Sequence, residues 1–196
     1  MIYNNPLGSS AFSESIPDLK DILFQSDVDS GTYTPTWMLR LDEIFESTIE
    51  VQDDDAKDKF TPCFGFKMAT RRQISGNRLT QNYASSRVHQ SRIWFVVPLD
   101  QSTPSLFIKL HDGTIITKTS LVRMMNIGSL FNKVSWKATF EDSHLEHVEI
   151  IRDYVLIALS VGTGEQKVFK YKADGALEGQ AVSSYDYMTN TGKPPE

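Results

Sequence analysis

From Thr36 onward the apolar positions of this chain recur with a period of two. Trp37, Leu39 and Leu41 alternate with Arg40 and Asp42, and Phe64, Phe66 and Met68 with Gly65 and Lys67. Val134, Trp136, Ala138 and Phe140 alternate with Ser135, Lys137 and Thr139, and Val155, Ile157, Leu159 and Val161 keep the same rule. Successive side chains of a strand point to opposite faces, so this alternation predicts strands with one face in a core. Ile93 to Val97 is apolar without interruption and suits a strand buried on both faces. Near the end, Val168 to Tyr171 leads through Ala173-Asp174-Gly175 to a second strand that closes on Ser184 to Thr191. Asp-Gly supplies the backbone freedom of a reversal, and the aromatic and β-branched flanks fit a pleated surface. Gly162-Thr163-Gly164 has the composition of another hairpin turn. Several such strands between turn-rich connections predict a barrel or a sandwich.

The helical period occurs twice. Ile16, Leu19, Ile22 and Leu23 form a short amphipathic segment, with Ser15 as N-cap and Pro17 in the first turn. It lies within residues 1–35, otherwise polar and Gly/Ser-containing, and either docks on the core or contacts a neighbouring subunit. The second helix is expected near 102–111, opened by Ser102-Thr103-Pro104-Ser105 and stopped by Asp112-Gly113. Two stretches follow neither period. Residues 50–59 are acidic around Asp53, Asp54 and Asp55, whereas 71–92 carry Arg71, Arg72, Arg78, Arg87 and Arg92. A long aperiodic connection inside a compact domain marks function or disorder.

With 196 residues the chain suffices for one well-buried domain, here 36–196, preceded by the 1–35 extension. A net charge of −5 argues against broad nucleic-acid affinity, which needs a Lys/Arg excess to displace counterions. One cysteine, Cys63, excludes an internal disulfide and a multi-thiolate metal site. The first twenty residues lack a basic region followed by an apolar run, and no apolar stretch approaches membrane-spanning length. The expectation is a protein without membrane insertion that does not use the ordinary export route.

No constellation of catalytic residues stands out. His144 and His147 are three apart in strand-like sequence, which in a regular strand sends the rings to opposite sides, unlike the one-face i, i+4 pair of a zinc hydrolase. His89 and His111 are isolated. Cys63 precedes an alternating strand and fits a partly buried structural position better than a nucleophile. Gly162-Thr163-Gly164 lacks the Lys-Ser/Thr and the helix of a phosphate cradle. The Asp53 to Asp55 run lacks calcium-loop spacing, and the arginine-rich stretch has one aromatic, Tyr83, where a single-strand binder needs several. Neither an enzyme nor a cofactor is expected.

Several of these stretches, in this order, resemble the Hcp proteins, the tube subunits of bacterial type VI secretion. Trp37 to Ile44 is similar to the family's first strand and Cys63 to Phe66 to a later one. Ile93 to Pro98 followed by Asp100 to Phe107 is similar to its strand and helix start. Thr114 to Met125 stands where the strand after that helix is, and the Ala173-Asp174-Gly175 and Ser184 to Thr191 ending is similar to the family's tail. The resemblance covers about 36–193; Glu43 and Tyr185 replace a usual glycine and tryptophan, and the extension has no counterpart in short members.

The resemblance implies a mainly β, tail-tube-like barrel of two packed antiparallel sheets, with the short helix near 102–111 and a short N-terminal amphipathic helix. It implies homohexameric rings stacked into a tube, a contractile sheath, a tip or spike protein and effector cargo in the lumen. It also implies synthesis in a bacterial cytoplasm and release through the apparatus. The family's long loop after the second strand, which reaches the adjacent ring, corresponds here to Arg71 to Gln90. Charge complementarity then makes Arg71, Arg72, Arg78, Tyr83 and Arg87 the candidate stacking surface, facing Asp53, Asp54 and Asp55 of a neighbour. Two rivals share the strand pattern: a tail-tube protein of a phage or other contractile injection particle, and a monomeric β-barrel that binds a small ligand.

Overall fold

Two antiparallel sheets share one strand. The structure, a computed structural model, describes residues 16–23, 36–42, 44, 49–50, 59–77, 82–127 and 130–193. The first strands are β1 (Trp37–Leu41), β2 (Ile49–Glu50), β3 (Lys59–Pro62), β4 (Gly65–Lys67), β5 (Thr70–Asn77), β6 (Asn82–Gln90) and β7 (Ile93–Pro98). After helix α1 (Thr103–Asp112) come β8 (Ile116–Ile127), β9 (Leu130–Ile151), β10 (Tyr154–Ser160), β11 (Thr163–Tyr171), β12 (Leu177–Asp186) and β13 (Thr191–Lys193). The larger sheet runs β13-β12-β11-β9-β8-β1-β3-β2, and the smaller joins β4, β7, β10 and the second half of β9. The two ends of the larger sheet do not pair with each other, so the expected barrel is an open sandwich hinged on β9.

β9 changes sheets because its backbone bends at Asp142. Up to Glu141 and Ser143 it pairs with β11 and β8; from His144 it pairs with β10. Asp142 has φ 52, a conformation Asp tolerates better than a β-branched residue, and corners of packed sheets are made by such irregularities. A second irregularity corrects the strict alternation expected over 134–140. Arg123 pairs with Trp136 but Met124 with Val134, so Ser135 is the extra residue of a bulge, its hydroxyl donating to the Arg123 carbonyl at 3.1 Å. Val134 therefore joins Met38, Phe60, Val122, Met124 and Phe169 on one face of the larger sheet, while Ala138 and Phe140 lie on the other.

That other face meets the smaller sheet. Leu39, Leu41, Leu121, Ala138 and Phe140 pack against Phe95, Val97, Val155, Ile157 and Leu159, with Leu106 of α1 at one end. Ile93 to Val97 is buried throughout, as its unbroken apolar run predicted. Its far-side residues Trp94 and Val96 join Leu156 and Ala158 under Ile22 of the N-terminal segment. That segment closes one 3-10 turn, Leu19–Asp21, in place of the longer helix expected. Asp18 is its N-cap, so Pro17 precedes the turn; Ser15 lies outside the described residues. Helix α1 agrees closely with expectation, with proline in the first turn and Gly113 left-handed at φ 63 just past the end.

Candidate functional site

The arginine-rich stretch is a ribbon, not an aperiodic loop. Among the described residues β5 and β6 pair only with each other, from Thr70↔Gln90 at the root to Asn77↔Asn82 toward the tip. Arg71 is opposite His89, Arg72 opposite Val88 and Tyr83 opposite Gly76, with a register shift between Arg72 and Ile74. Arg87 lies on β6 beside that shift. The fold thus brings Arg71, Arg72, Tyr83 and Arg87 onto one two-stranded element, while Arg78, Asp53, Asp54 and Asp55 lie outside the described residues. The ribbon's sequence is mostly polar, so the apolar period that marks a strand is missing there.

The ribbon's root is tied in two ways. Across its base the Ser91 amide donates to the Ala69 carbonyl at 2.8 Å, and the Ala69 amide to the Ser91 hydroxyl at 3.1 Å. The second tie comes from the C-terminal tail. Asn190 Oδ1 accepts the Val88 amide at 2.9 Å and the Tyr185 hydroxyl at 2.6 Å. Tyr187 hydrogen-bonds the Thr70 side chain, and burial pushes its hydroxyl pKa above the ordinary value of 10.0. These tail residues escaped the sequence-based assignment, because nothing in sequence links position 190 to position 88.

Two further surfaces are open. β12 pairs with β11 on one side, whereas β13 covers only Ser184 to Asp186 on the other. Among the described residues, Leu177 to Ser183 has no strand on its outer edge. The polar face of the larger sheet holds a groove of about 590 Å³, lined by Lys118, Lys137 and Lys167 against Glu141, Glu165 and Asp186. Its charges balance, so the groove carries no strong preference for an ion of either sign.

No family model and no curated protein matches the chain. Solved structures do. The structure of a type six secretion system protein aligns over 80% of this chain and 98% of its own, with TM-score 0.66 at 17% identity. Hcp1 from Salmonella typhimurium aligns over 80% of this chain and 97% of its own (TM-score 0.59), and Hcp2 over 79% and 98% (0.53), each at 19% identity. This chain has the Hcp fold.

Within the Hcp fold the reactive residue types occupy structural positions. Cys63 is fully buried; loss of hydration pushes its thiol up to about 12, and Sγ donates to the Gly65 carbonyl at 3.2 Å. A thiol held protonated is no nucleophile. His144 and His147 pair with Ser160 and Ala158, two residues apart, because Glu146 is bulged out of the ladder. They share a face, contrary to the strict alternation expected. His147 has Glu149 at 3.2 Å and the Trp94 ring at 5.4 Å. Among the described residues no three His, Cys, Asp or Glu side chains are grouped to hold a metal ion.

Gly162-Thr163-Gly164 is also reassigned. β10 and β11 belong to different sheets and do not pair, so these residues form a corner between layers in place of a hairpin turn. The Gly162 amide donates to Glu141 at 3.1 Å, beside the Asp142 bend, and its carbonyl accepts the Tyr187 amide at 2.9 Å. The tail turn does follow expectation. Gly175 has φ 82, Asp174 Oδ1 accepts the Ala176 amide at 3.0 Å, and β11 reverses into β12.

Proposed function

We propose that this chain is a structural tube subunit of a type VI secretion system. Copies close into hexameric rings, rings stack into a tube expelled by a contractile sheath, and the lumen shelters effector cargo behind a spike. The subunit is made in the bacterial cytoplasm and leaves through the apparatus; its role involves no reaction. What carries the reading is the alignment over 97–98% of chains named as Hcp and type six secretion proteins. The open sandwich adds support. A ring of identical subunits uses heterologous contacts, and an unpaired sheet edge on each copy gives its neighbour a place to pair.

Stacking falls to the β5–β6 ribbon, which among the described residues forms a two-stranded sheet of its own, apart from the sandwich. Its arginines meet the Asp53 to Asp55 run of a copy in the next ring. Each exposed ion pair contributes only about 0–1 kcal/mol, so these charges set register and salt sensitivity more than strength. Negative-stain microscopy of the purified protein is expected to show rings and stacked tubes, with the double variant Arg71→Glu, Arg72→Glu giving shorter tubes at low salt. A wild-type protein that stays monomeric at micromolar concentration overturns the assembly; unchanged tube length in the variant overturns the pairing.

The groove favours one second reading, a monomeric ligand-binding module, since about 590 Å³ lies in the size range of small-ligand sites. Its charged, open lining is unlike the mostly apolar walls of such sites, and mass photometry separates the two readings directly.

A further inference from the structure

We infer that Asn190 is a positioning residue for the β5–β6 ribbon: the C-terminal tail clasps the ribbon's root and fixes the direction in which it projects. The inference rests on the proposed function only where it concerns stacking; the clasp itself rests on geometry.

A two-stranded ribbon is marginally stable alone and gains rigidity from what holds its root. The base contacts at Ala69 and Ser91 lie where the two strands leave the body. Two adjacent chain crossings make a hinge, because rotation about the line joining them breaks no hydrogen bond between the strands. Fixing the direction needs an attachment off that line, and the tail supplies two. Asn190 takes the Val88 amide on β6, and Tyr187 bonds the Thr70 side chain on β5. The hydroxyl of Thr70 also reaches Gln90 Oε1 across the first ribbon pair, at 2.5 Å. Both strands are therefore held by the tail.

The turn that carries the clasp is held by contacts of its own. Asp186 Oδ1 accepts the Met188 and Thr189 amides at 2.8 and 2.9 Å, which shapes the tight turn that presents Asn190. Asn190 has φ 61, a left-handed conformation that asparagine adopts readily, and the Tyr185 hydroxyl orients its amide oxygen. A Cβ at Gly192 would come within 2.8 Å of the Tyr185 ring, so glycine there leaves room for that ring. The turn is fixed to the body at the sheet corner, where the Tyr187 amide donates to Gly162 and its ring lies against Gly164. The chain of contacts runs from sandwich corner to tail turn to ribbon. The ladder shifts register just beyond Arg72↔Val88, so what the clasp fixes is the base on which the ribbon's irregular part stands.

The test uses the full chain with Asn190→Gly and Asn190→Asp. Glycine keeps the left-handed backbone and removes the acceptor; aspartate keeps both. Hydrogen–deuterium exchange by mass spectrometry over 70–90 is expected to rise about three- to tenfold in N190G, the factor for one lost hydrogen bond, and to stay at the wild-type level in N190D. The body strands serve as the internal control. Tyr187→Phe, which removes the bond to Thr70, is expected to act in the same direction, and decides the matter if N190G fails to fold. Wild-type exchange of the ribbon in both N190G and Y187F overturns the clasp. A looser ribbon with wild-type tube length leaves the clasp standing and refutes the ribbon's part in stacking.

Discussion

Gly65 has no room for a methyl group. A Cβ there would lie 2.2 Å from the Ile22 carbonyl oxygen and 2.8 Å from its carbon, both backbone atoms that cannot swing aside. The close approach arises because Leu23 bridges to Gly65 as if it were a further strand of the smaller sheet. Gly65→Ala is expected to push the Leu19–Leu23 segment off Trp94 and Val96, lowering the melting temperature by about 5 °C or more. Trypsin cleavage after Lys20 should accelerate in the same variant; wild-type melting with wild-type cleavage contradicts the docking. Cys63, two residues earlier, gives a pH signature. Its folded pKa of about 12 exceeds the ordinary 9.0, so above pH 9 the unfolded chain releases a proton that the folded chain retains. Stability therefore falls as pH rises from 9 toward 12. Urea unfolding at pH 8 and 10 is expected to show a loss about 1.4 kcal/mol larger in the wild type than in Cys63→Ala. Equal losses would mean the thiol is hydrated.

At the scale of elements, what the sequence made legible was whatever burial dictates. Ile93 to Val97 had to be covered on both faces, and it is. Helix α1 was marked by its proline and by Gly113, and the Asp174-Gly175 reversal by its glycine. The failures within the strand ladders share a physical cause, a one-residue irregularity. Ser135, Asp142 and Glu146 each displace the ladder by one position or bend it, without a glycine or proline to announce the event. Hence Val134 faces away from Ala138, and the two histidines share a side. The Gly162 corner was mistaken for a hairpin turn because glycine serves both purposes, and only the pairing partners of β10 and β11 distinguish them. The ribbon was invisible for a different reason, since its mostly polar strands leave no apolar period. Its tail clasp spans 102 residues through one amide oxygen, and such a contact has no local trace.

For the whole molecule, the question is what an open sandwich does with its edges. From Leu177 to Ser183 the outer side of β12 has no partner strand among the described residues; the stretch contains no proline and a single charge, Glu178, engaged with Lys170 at 3.1 Å. Proteins that remain solitary blunt such an edge with lysine, proline or a bulge, because otherwise it recruits another strand. β12 has neither lysine nor proline on that run, its one irregularity is the register shift at Glu178 near the start, and Leu177 on β12 and Val168 on β11 are each 52% exposed. The regular edge beyond that shift, Gly179 to Ser183, is consistent with one meant to be paired, and in a ring the strand that pairs it would come from the next copy. Ala181, exposed and opposite Val168, is the place to test this. Ala181→Lys adds the charge a solitary protein would have put there, at a surface position where stability is expected to change by no more than about 0.5 kcal/mol. The expected outcome in mass photometry is a shift from rings to monomers with an unchanged melting curve of the monomer. Rings as abundant as in the wild type would place the seam elsewhere on the sandwich. Monomers in both proteins would instead remove the ring, because an edge that stays unpaired without consequence has no neighbour to recruit.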